Sequence, residues 1–294
     1  MVSYSSLDLY TILCYGFLFL SVLLIWAPFK KVLRWETAFL GALFFGVLSR
    51  HVDWIGIGVI MGLAASLYIT YQKSLPLWIR FISGMIFFFS GCAIGFHKIP
   101  GFSNLKVLNE VYISADAVPF NMYLNFDKVS LGLIILGFTP FLVQNHGWGR
   151  LFKNTFLKAF FVIVVIAGLS YGMGFVRWDP KIPDCFWLWT LTNLLFVCVS
   201  EEAFFRGFVQ KNLFMCFENT PFRSFGALVI ASLLFGLFHY YGGVQYMILS
   251  AIAGLGYGWI YQTTGRIEAS ILTHFSLNVI HFLCFTYPAL KTAF

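Results

Sequence analysis

LLFVCVSEEAFFR, residues 194–206, is an apolar run that ends in two glutamates and an arginine. Such a run is typical of a membrane span, where charged side chains are costly and usually mark function. The whole chain has this character, with 60% hydrophobic and 11% charged residues among 294. Soluble domains are about half apolar and about a quarter charged. The composition therefore predicts an all-α, polytopic transmembrane helix bundle and excludes soluble, disordered and disulfide-rich proteins.

A bilayer core about 30 Å thick needs roughly 20 apolar residues per helix. By this measure the candidate spans are residues 7–29, 36–50, 54–71, 78–96, 129–144, 156–176, 185–203, 224–241, 243–262 and 267–287. The second and fifth are short, so we expect about 8–10 spans. The first has no cationic region before it and no small-residue cleavage site after it, which favours a retained helix over a signal peptide.

The formal net charge is +7, and the basic residues lie in small groups between the apolar runs. This pattern orients membrane helices, so nucleic acid is not an expected partner. The more basic side is expected to face inwards and carries Lys30, Lys31, Arg34, Lys73, Arg80, Arg150, Lys153, Lys158, Arg206, Lys211, Arg223 and Arg266. Both termini are then outside. Residues 97–128 form a polar outer loop, expected to be a connector, with a lid or receptor surface as the alternative.

Charged side chains at the end of the apolar run suggest a division of roles. In a regular α-helix Glu202 and Arg206 form an i, i+4 pair on one face, where the guanidinium can hold the carboxylate ionised. Glu201 points about 100° away from Glu202. One carboxylate is therefore expected to be paired and its neighbour to be available, although a purely structural ion pair is the alternative.

Histidines interrupt two later apolar spans. His239 ends the stretch that begins at Phe235, and His274 lies one turn before Asn278. The predicted spans place Glu201 about 6 Å, His274 about 10 Å and His239 about 22 Å from the inner end of the core. This mismatch predicts that the helix breaks at Tyr241-Gly242-Gly243, or begins outside the core, and that a water-filled cavity brings the three side chains together.

Two other patterns are attributed to helix packing. Ser250, Gly254 and Gly258 form a small-xxx-small face that allows a neighbouring backbone to approach closely. Gly168-Leu169-Ser170-Tyr171-Gly172 matches the G-x-S-x-G string of serine hydrolases, which requires a strand, a turn and a helix. Here the string lies within an apolar helix and has no acidic partner nearby, so packing is the favoured interpretation.

Three motifs occur in order along the last spans. They are E-E-x-x-x-R at Glu201–Arg206, F-x-x-x-H at Phe235–His239 and H-x-x-x-N at His274–Asn278. The ordered set resembles the type II CAAX prenyl endopeptidase and bacteriocin-processing (CPBP) family of intramembrane proteases. The resemblance covers roughly residues 185–287, which predicts a protease core in the last four spans. Residues 1–180 are expected to form N-terminal transmembrane helices of unknown role.

The resemblance implies a role for each motif residue. Glu201 would be the general base that takes a proton from water, and His239 would help to hold and polarise that water. His274 and Asn278 would donate hydrogen bonds to the oxyanion of the tetrahedral intermediate. Glu202, Arg206 and Phe235 would support the site. Water attacks directly, without an acyl-enzyme.

Other interpretations of the same residues stay open. No cofactor is expected, but zinc on Glu201, His239 and His274 is the alternative, although no H-E-x-x-H occurs in the chain. A proton- or ion-coupled transporter would also explain buried Glu, Arg and His. The expected partners are membrane lipids and a protein or peptide substrate, lipidated or bearing a C-terminal sorting signal. The expected location is the bacterial inner membrane, or the endoplasmic reticulum membrane in a eukaryote.

Overall fold

The structure is a computed structural model that describes residues 8–27, 34–139, 142–144 and 146–293. Most of these residues are helical, which confirms the predicted all-α class. The helices are α1 Leu9–Leu24, α2 Trp35–Leu48, α3 Trp54–Tyr71, α4 Leu77–Gly95, α5 Phe126–Phe138, α6 Trp148–Gly172, α7 Phe186–Cys216, α8 Arg223–Leu237, α9 Gly243–Thr264 and α10 Ile267–Cys284. Lys30 and Lys31, predicted to face inwards, lie outside the described residues.

Fewer helices span a membrane by length than the 8–10 predicted from sequence. Within the described ranges, five helices are long and apolar enough to cross, or six if α8 and α9 form one bent span. The difference arises because α1, α2 and α5 contain only 16, 14 and 13 residues, and because α8 and α9 count together as one bent span at most. An apolar run that includes its flanking turns is longer than the helix that forms within it, so hydropathy overestimates the number of full spans.

Contacts divide the chain into two compact units. The first contains residues 1–107, 123–145 and 195–204, and the second contains residues 108–122, 146–194 and 205–294. The predicted boundary between residues 180 and 185 stays a prediction.

In the first unit, helix ends and the segments that connect the helices contact one another at one end of the unit. The Nε2 atom of His51 lies 3.2 Å from the Thr11 hydroxyl, and its Nδ1 atom lies 2.6 Å from the Ser103 carbonyl. His97 contacts the buried carboxylate of Asp127 at 2.7 Å. These contacts place the start of α1, the connection from α2 to α3 and the connection from α4 to α5 at the same end. Helices α1 to α5 therefore run alternately in opposite directions, as expected for a chain that crosses a membrane repeatedly. Their orientation relative to the membrane stays a prediction.

Residues 97–128 are more ordered than the predicted loop. They contain two short paired strands, β1 Leu105–Val111 and β2 Phe120–Leu124. The Glu110 amide donates to the Asn121 side chain at 3.0 Å. Sequence analysis missed these strands because their segments are short and interrupted by charged or polar residues, which hides the alternating pattern of a half-buried strand.

In the second unit, helix α9 packs against α6, α8 and α10. A Cβ atom added to Gly254 would lie 3.2 Å from the Cα atom of Ser232 on α8, so the predicted close approach at the small-residue face is confirmed. Two side chains of α7 donate hydrogen bonds to backbone carbonyls on the same face of α9. Arg206 donates to the Gly254 carbonyl at 2.9 Å and Gln210 donates to the Gly258 carbonyl at 3.1 Å.

A break separates α8 from α9, which is one of the two alternatives predicted from the depth of His239. The two helices are bent by 57°, and the connection contains a single 3₁₀ turn, Tyr240–Gly242. Gly243 has φ of +81°, a left-handed conformation that only glycine adopts easily. His239 therefore lies at the break and not within a continuous span.

Gly236→Ala tests the close packing of α8 on α9. An added Cβ atom would lie 2.7 Å from the Met247 carbonyl oxygen, so the backbones must separate, and we expect a loss of about 1–3 kcal/mol of stability. Gly168→Ala on α6 is the matched control, because a Cβ atom there meets nothing within 4 Å. Thermal unfolding in detergent, followed by size-exclusion chromatography, should show a lower midpoint for Gly236→Ala alone. Equal midpoints would contradict the packing.

Candidate active site

Helix α7, which carries the first motif, is not a regular α-helix. Two π-helical segments, Asn193–Cys198 and Ala203–Gln210, flank one α-helical turn, Val199–Glu202. Such π segments are frequent at functional sites because the extra residue per turn redirects side chains. The sequence analysis assumed regular α geometry. Regular α geometry holds for the turn that contains Glu201 and Glu202. It does not hold between Glu202 and Arg206, where the chain is π-helical.

The two glutamates have different surroundings. Glu202 has none of its surface exposed, whereas Glu201 is half-buried. The Oε2 atom of Glu201 is itself buried and accepts no hydrogen bond from the described residues. Buried polar atoms ordinarily have a partner, so this oxygen is suited to bind water or a donor group. Both glutamates belong to the first unit, and their predicted approach to Arg206, His239 and His274 stays a prediction.

Arg206 is fully buried in the second unit. Besides its bond to the Gly254 carbonyl, its guanidinium lies 4.7 Å from the centre of the Phe235 ring and 5.5 Å from that of Tyr257. Aromatic faces attract a desolvated cation, so these rings stabilise the buried charge. Phe235 is the aromatic residue of the second motif, and its supporting role in the site stays a prediction.

The second unit contains a cavity of about 80 Å³. His239, His274 and Asn278 line it, together with Ser250, Tyr257 and His281. A site of this polarity and volume has room for several water molecules. The second and third motifs, which lie on different helices, therefore share one polar cavity.

The hydrogen bond of His239 fixes which ring nitrogen carries its proton. Its Nδ1 atom lies 2.7 Å from the Phe235 carbonyl oxygen, which can only accept, so Nδ1 donates. In the neutral ring Nε2 is then the acceptor. The Phe235 ring also packs against the imidazole, with centroids 4.7 Å apart. Phe235 thus orients His239 through both its backbone and its side chain.

His274 is held between two aromatic rings. Tyr257 stacks on it with centroids 4.7 Å apart and planes within 15°, and Phe235 approaches edge-on at 5.8 Å. Tyr257 therefore contacts both His274 and Arg206. Sequence analysis missed Tyr257, and an aromatic residue in an apolar span gives no signal that would have identified it.

Asn278 contacts a residue that sequence analysis also missed. Its Nδ2 atom donates to the Oδ1 atom of Asn193 on α7 at 3.1 Å. The only sequence signal was an amide side chain within the apolar run around residues 191–195. The hydrogen bond joins two helices across 85 residues of sequence.

Two remaining predictions concern the cavity. Ser170 lies inside helix α6, so its G-x-S-x-G string has no strand or turn, although Ser170 itself lines the cavity. No three His, Cys, Asp or Glu side chains of the described residues are positioned to hold a metal ion. Because Glu201 belongs to the first unit and the two histidines to the second, the zinc alternative on Glu201, His239 and His274 stays open.

These features define a multi-pass membrane protein with a histidine-lined cavity in its C-terminal helices. Residues 183–280 match the family model "Type II CAAX prenyl endopeptidase Rce1-like". The C-terminal helices therefore contain a Rce1-like domain, as the three motifs predicted, and this match implies an intramembrane peptidase with a protein substrate. No curated protein and no solved structure matches the chain.

Ser250→Cys tests whether water fills the cavity. A thiol there should react with a charged, membrane-impermeant thiosulfonate reagent, because the reactive thiolate forms only where water is present. Leu255→Cys on the exposed side of the same helix is the matched control and should stay unmodified in the bilayer. Peptide mass spectrometry separates these sites from the six native cysteines. Equal labelling of the two sites would argue against a hydrated cavity.

Proposed function

We propose that the protein is an intramembrane endopeptidase that hydrolyses a peptide bond with water activated by Glu201. The observation that carries the proposal is that His239, His274 and Asn278 line the same cavity within the region matched by the family model. Hydrolysis within apolar helices requires water beside polar groups, and this cavity supplies room for both. The proposed protease core is residues 185–287.

Glu201 has the chemistry required of the base. Its buried Oε2 atom accepts no hydrogen bond from described residues, so it is suited to accept a proton from water. His239 presents Nε2 as an acceptor in its neutral form and would hold the same water. The proposal requires Glu201 to reach the water in the cavity.

His274 and Asn278 would stabilise the intermediate. Attack of the water oxygen on the carbonyl carbon places a negative charge on the carbonyl oxygen, and N–H donors fixed in advance stabilise that charge. The aromatic rings around His274 and the bond from Asn278 to Asn193 hold both donors in place. Glu201 would then pass its proton to the leaving nitrogen as the carbon–nitrogen bond breaks, without an acyl-enzyme.

The proposed substrate is a membrane-associated protein or peptide. CAAX-type processing and peptide maturation or sorting are both compatible with the cavity and the family. A bacterial inner membrane is the proposed location, or the endoplasmic reticulum membrane in a eukaryote. Comparing the proteins that accumulate uncut in a deletion strain would identify the substrate. A strain that accumulates only a small solute would instead favour the transporter alternative.

Glu201→Gln should abolish cleavage, because the amide cannot accept the proton from water. Glu218→Gln is the matched control, since Glu218 has an exposed side chain and lies outside the motifs. We expect at least a 1,000-fold loss for Glu201→Gln, on the order of that found for an essential catalytic group, and little change for Glu218→Gln. The measurement is cleavage of an internally quenched farnesylated peptide ending in C-a-a-X. Near-normal cleavage by purified Glu201→Gln would exclude Glu201 as the base.

Strong zinc chelators should leave cleavage unchanged, because the described residues offer no group of three ligands. The same peptide assay, combined with metal analysis of the purified protein, measures this. Stoichiometric zinc, together with chelator inactivation that added metal reverses, would establish the metal mechanism instead.

A further inference from the structure

Asn193 is a buried amide at the first residue of the π-helical segment Asn193–Cys198, with 9% of its surface exposed. An amide in such surroundings is costly unless it forms hydrogen bonds. Its Oδ1 atom accepts the hydrogen bond from Asn278 Nδ2 at 3.1 Å. Asn193 lies outside the three motifs, and the mechanism above assigns it no chemical step.

We propose that Asn193 is a positioning residue that orients the Asn278 carboxamide as an oxyanion donor. The inference rests on the proposed function and extends it to a residue outside the three motifs. The two ends of an amide have opposite hydrogen-bonding character, because nitrogen donates and oxygen accepts. Only one orientation of Asn278 therefore suits a negatively charged intermediate.

The Asn193 oxygen selects that orientation. With Asn278 reversed, two carbonyl oxygens would face each other, which is unfavourable in a buried site. With Asn278 as found, one N–H of its nitrogen is used by Asn193, and the same nitrogen carries a second N–H. The hydrogen bond thus keeps the donor end of the amide fixed before the substrate binds.

Asn193 acts through Asn278 and not on the reacting water. It precedes Glu201 by eight residues in the chain, and its hydrogen bond goes to Asn278. Its contact with Asn278 also ties α7 to α10 inside the second unit. A donor held in advance is worth more in the transition state than one that must reorient, so loss of Asn193 should affect the chemical step more than substrate binding.

A double-mutant cycle tests the proposal with the farnesylated C-a-a-X peptide. Asn193→Leu should lower kcat by about 10- to 100-fold with little change in KM, less than the about 100- to 1,000-fold cost of removing an oxyanion donor. In the Asn278→Ala background, Asn193→Leu should cause no further loss, because its target is gone. Thr192→Val is the matched control. Thr192 is the neighbouring buried residue, and its hydroxyl forms no hydrogen bond with the described residues. We therefore expect kcat to be unchanged in this variant.

Asn193→Asp separates positioning from packing. Aspartate keeps the acceptor oxygen but removes the amide donor, so this variant should recover at least tenfold of the kcat lost in Asn193→Leu, provided the carboxylate accepts from Asn278. If Asn193→Leu does not fold, Asn193→Ala, which also removes the acceptor oxygen, takes its place in the cycle with Asn278→Ala.

Several results would overturn the inference. A general packing role would be indicated if Asn193→Leu lowered kcat equally in the wild-type and Asn278→Ala backgrounds. An equal loss of kcat in Thr192→Val would indicate the same. A rise in KM alone would place Asn193 in substrate binding. Each of these requires an active wild type. A wild-type protein that cuts neither this peptide nor the proteins that accumulate in the deletion strain would remove the proposed function, and this inference with it.

Discussion

Polar side chains within apolar helices must find partners inside the protein, because lipid offers none, and the site in the second unit depends on this constraint. Arg206 uses the Gly254 carbonyl and two aromatic faces, and His239 uses the Phe235 carbonyl. Asn278 uses Asn193. Each partner that removes the cost of burial also fixes an orientation, so the interactions that stabilise the polar groups are those that organise the cavity.

The break between α8 and α9 lies beside this cavity. The 57° bend and the turn at Tyr240–Gly242 come directly after His239, which lines the cavity together with His274. Gly243 supplies the positive φ and Gly236 supplies the close contact between α8 and α9. Irregular backbone at membrane depth is tolerated where it borders a wet cavity, so water in this cavity would account for the break.

Sequence patterns and structure differ most where local regularity was assumed. The hydropathy of residues 7–29 and 36–50 suggested full spans, yet α1 and α2 are only 16 and 14 residues long. Regular α geometry was assumed for the first motif, yet π-helical segments flank its two glutamates. Helix ends and helical winding depend on how neighbouring segments pack, and a pattern of apolar residues carries little information about either.

The sequence by itself determined the membrane class and the Rce1-like character of the C-terminal helices, and it gave the break near Gly242 and Gly243 as one of two alternatives. These follow from composition, from an ordered set of motif residues and from a mismatch of depths, which are all properties of the chain read in one dimension. Only the tertiary structure decided that Tyr257 holds His274 and that Asn193 holds Asn278. Those contacts join residues distant in sequence, and an ordinary tyrosine or asparagine acquires its role only when helix packing brings it beside a motif residue.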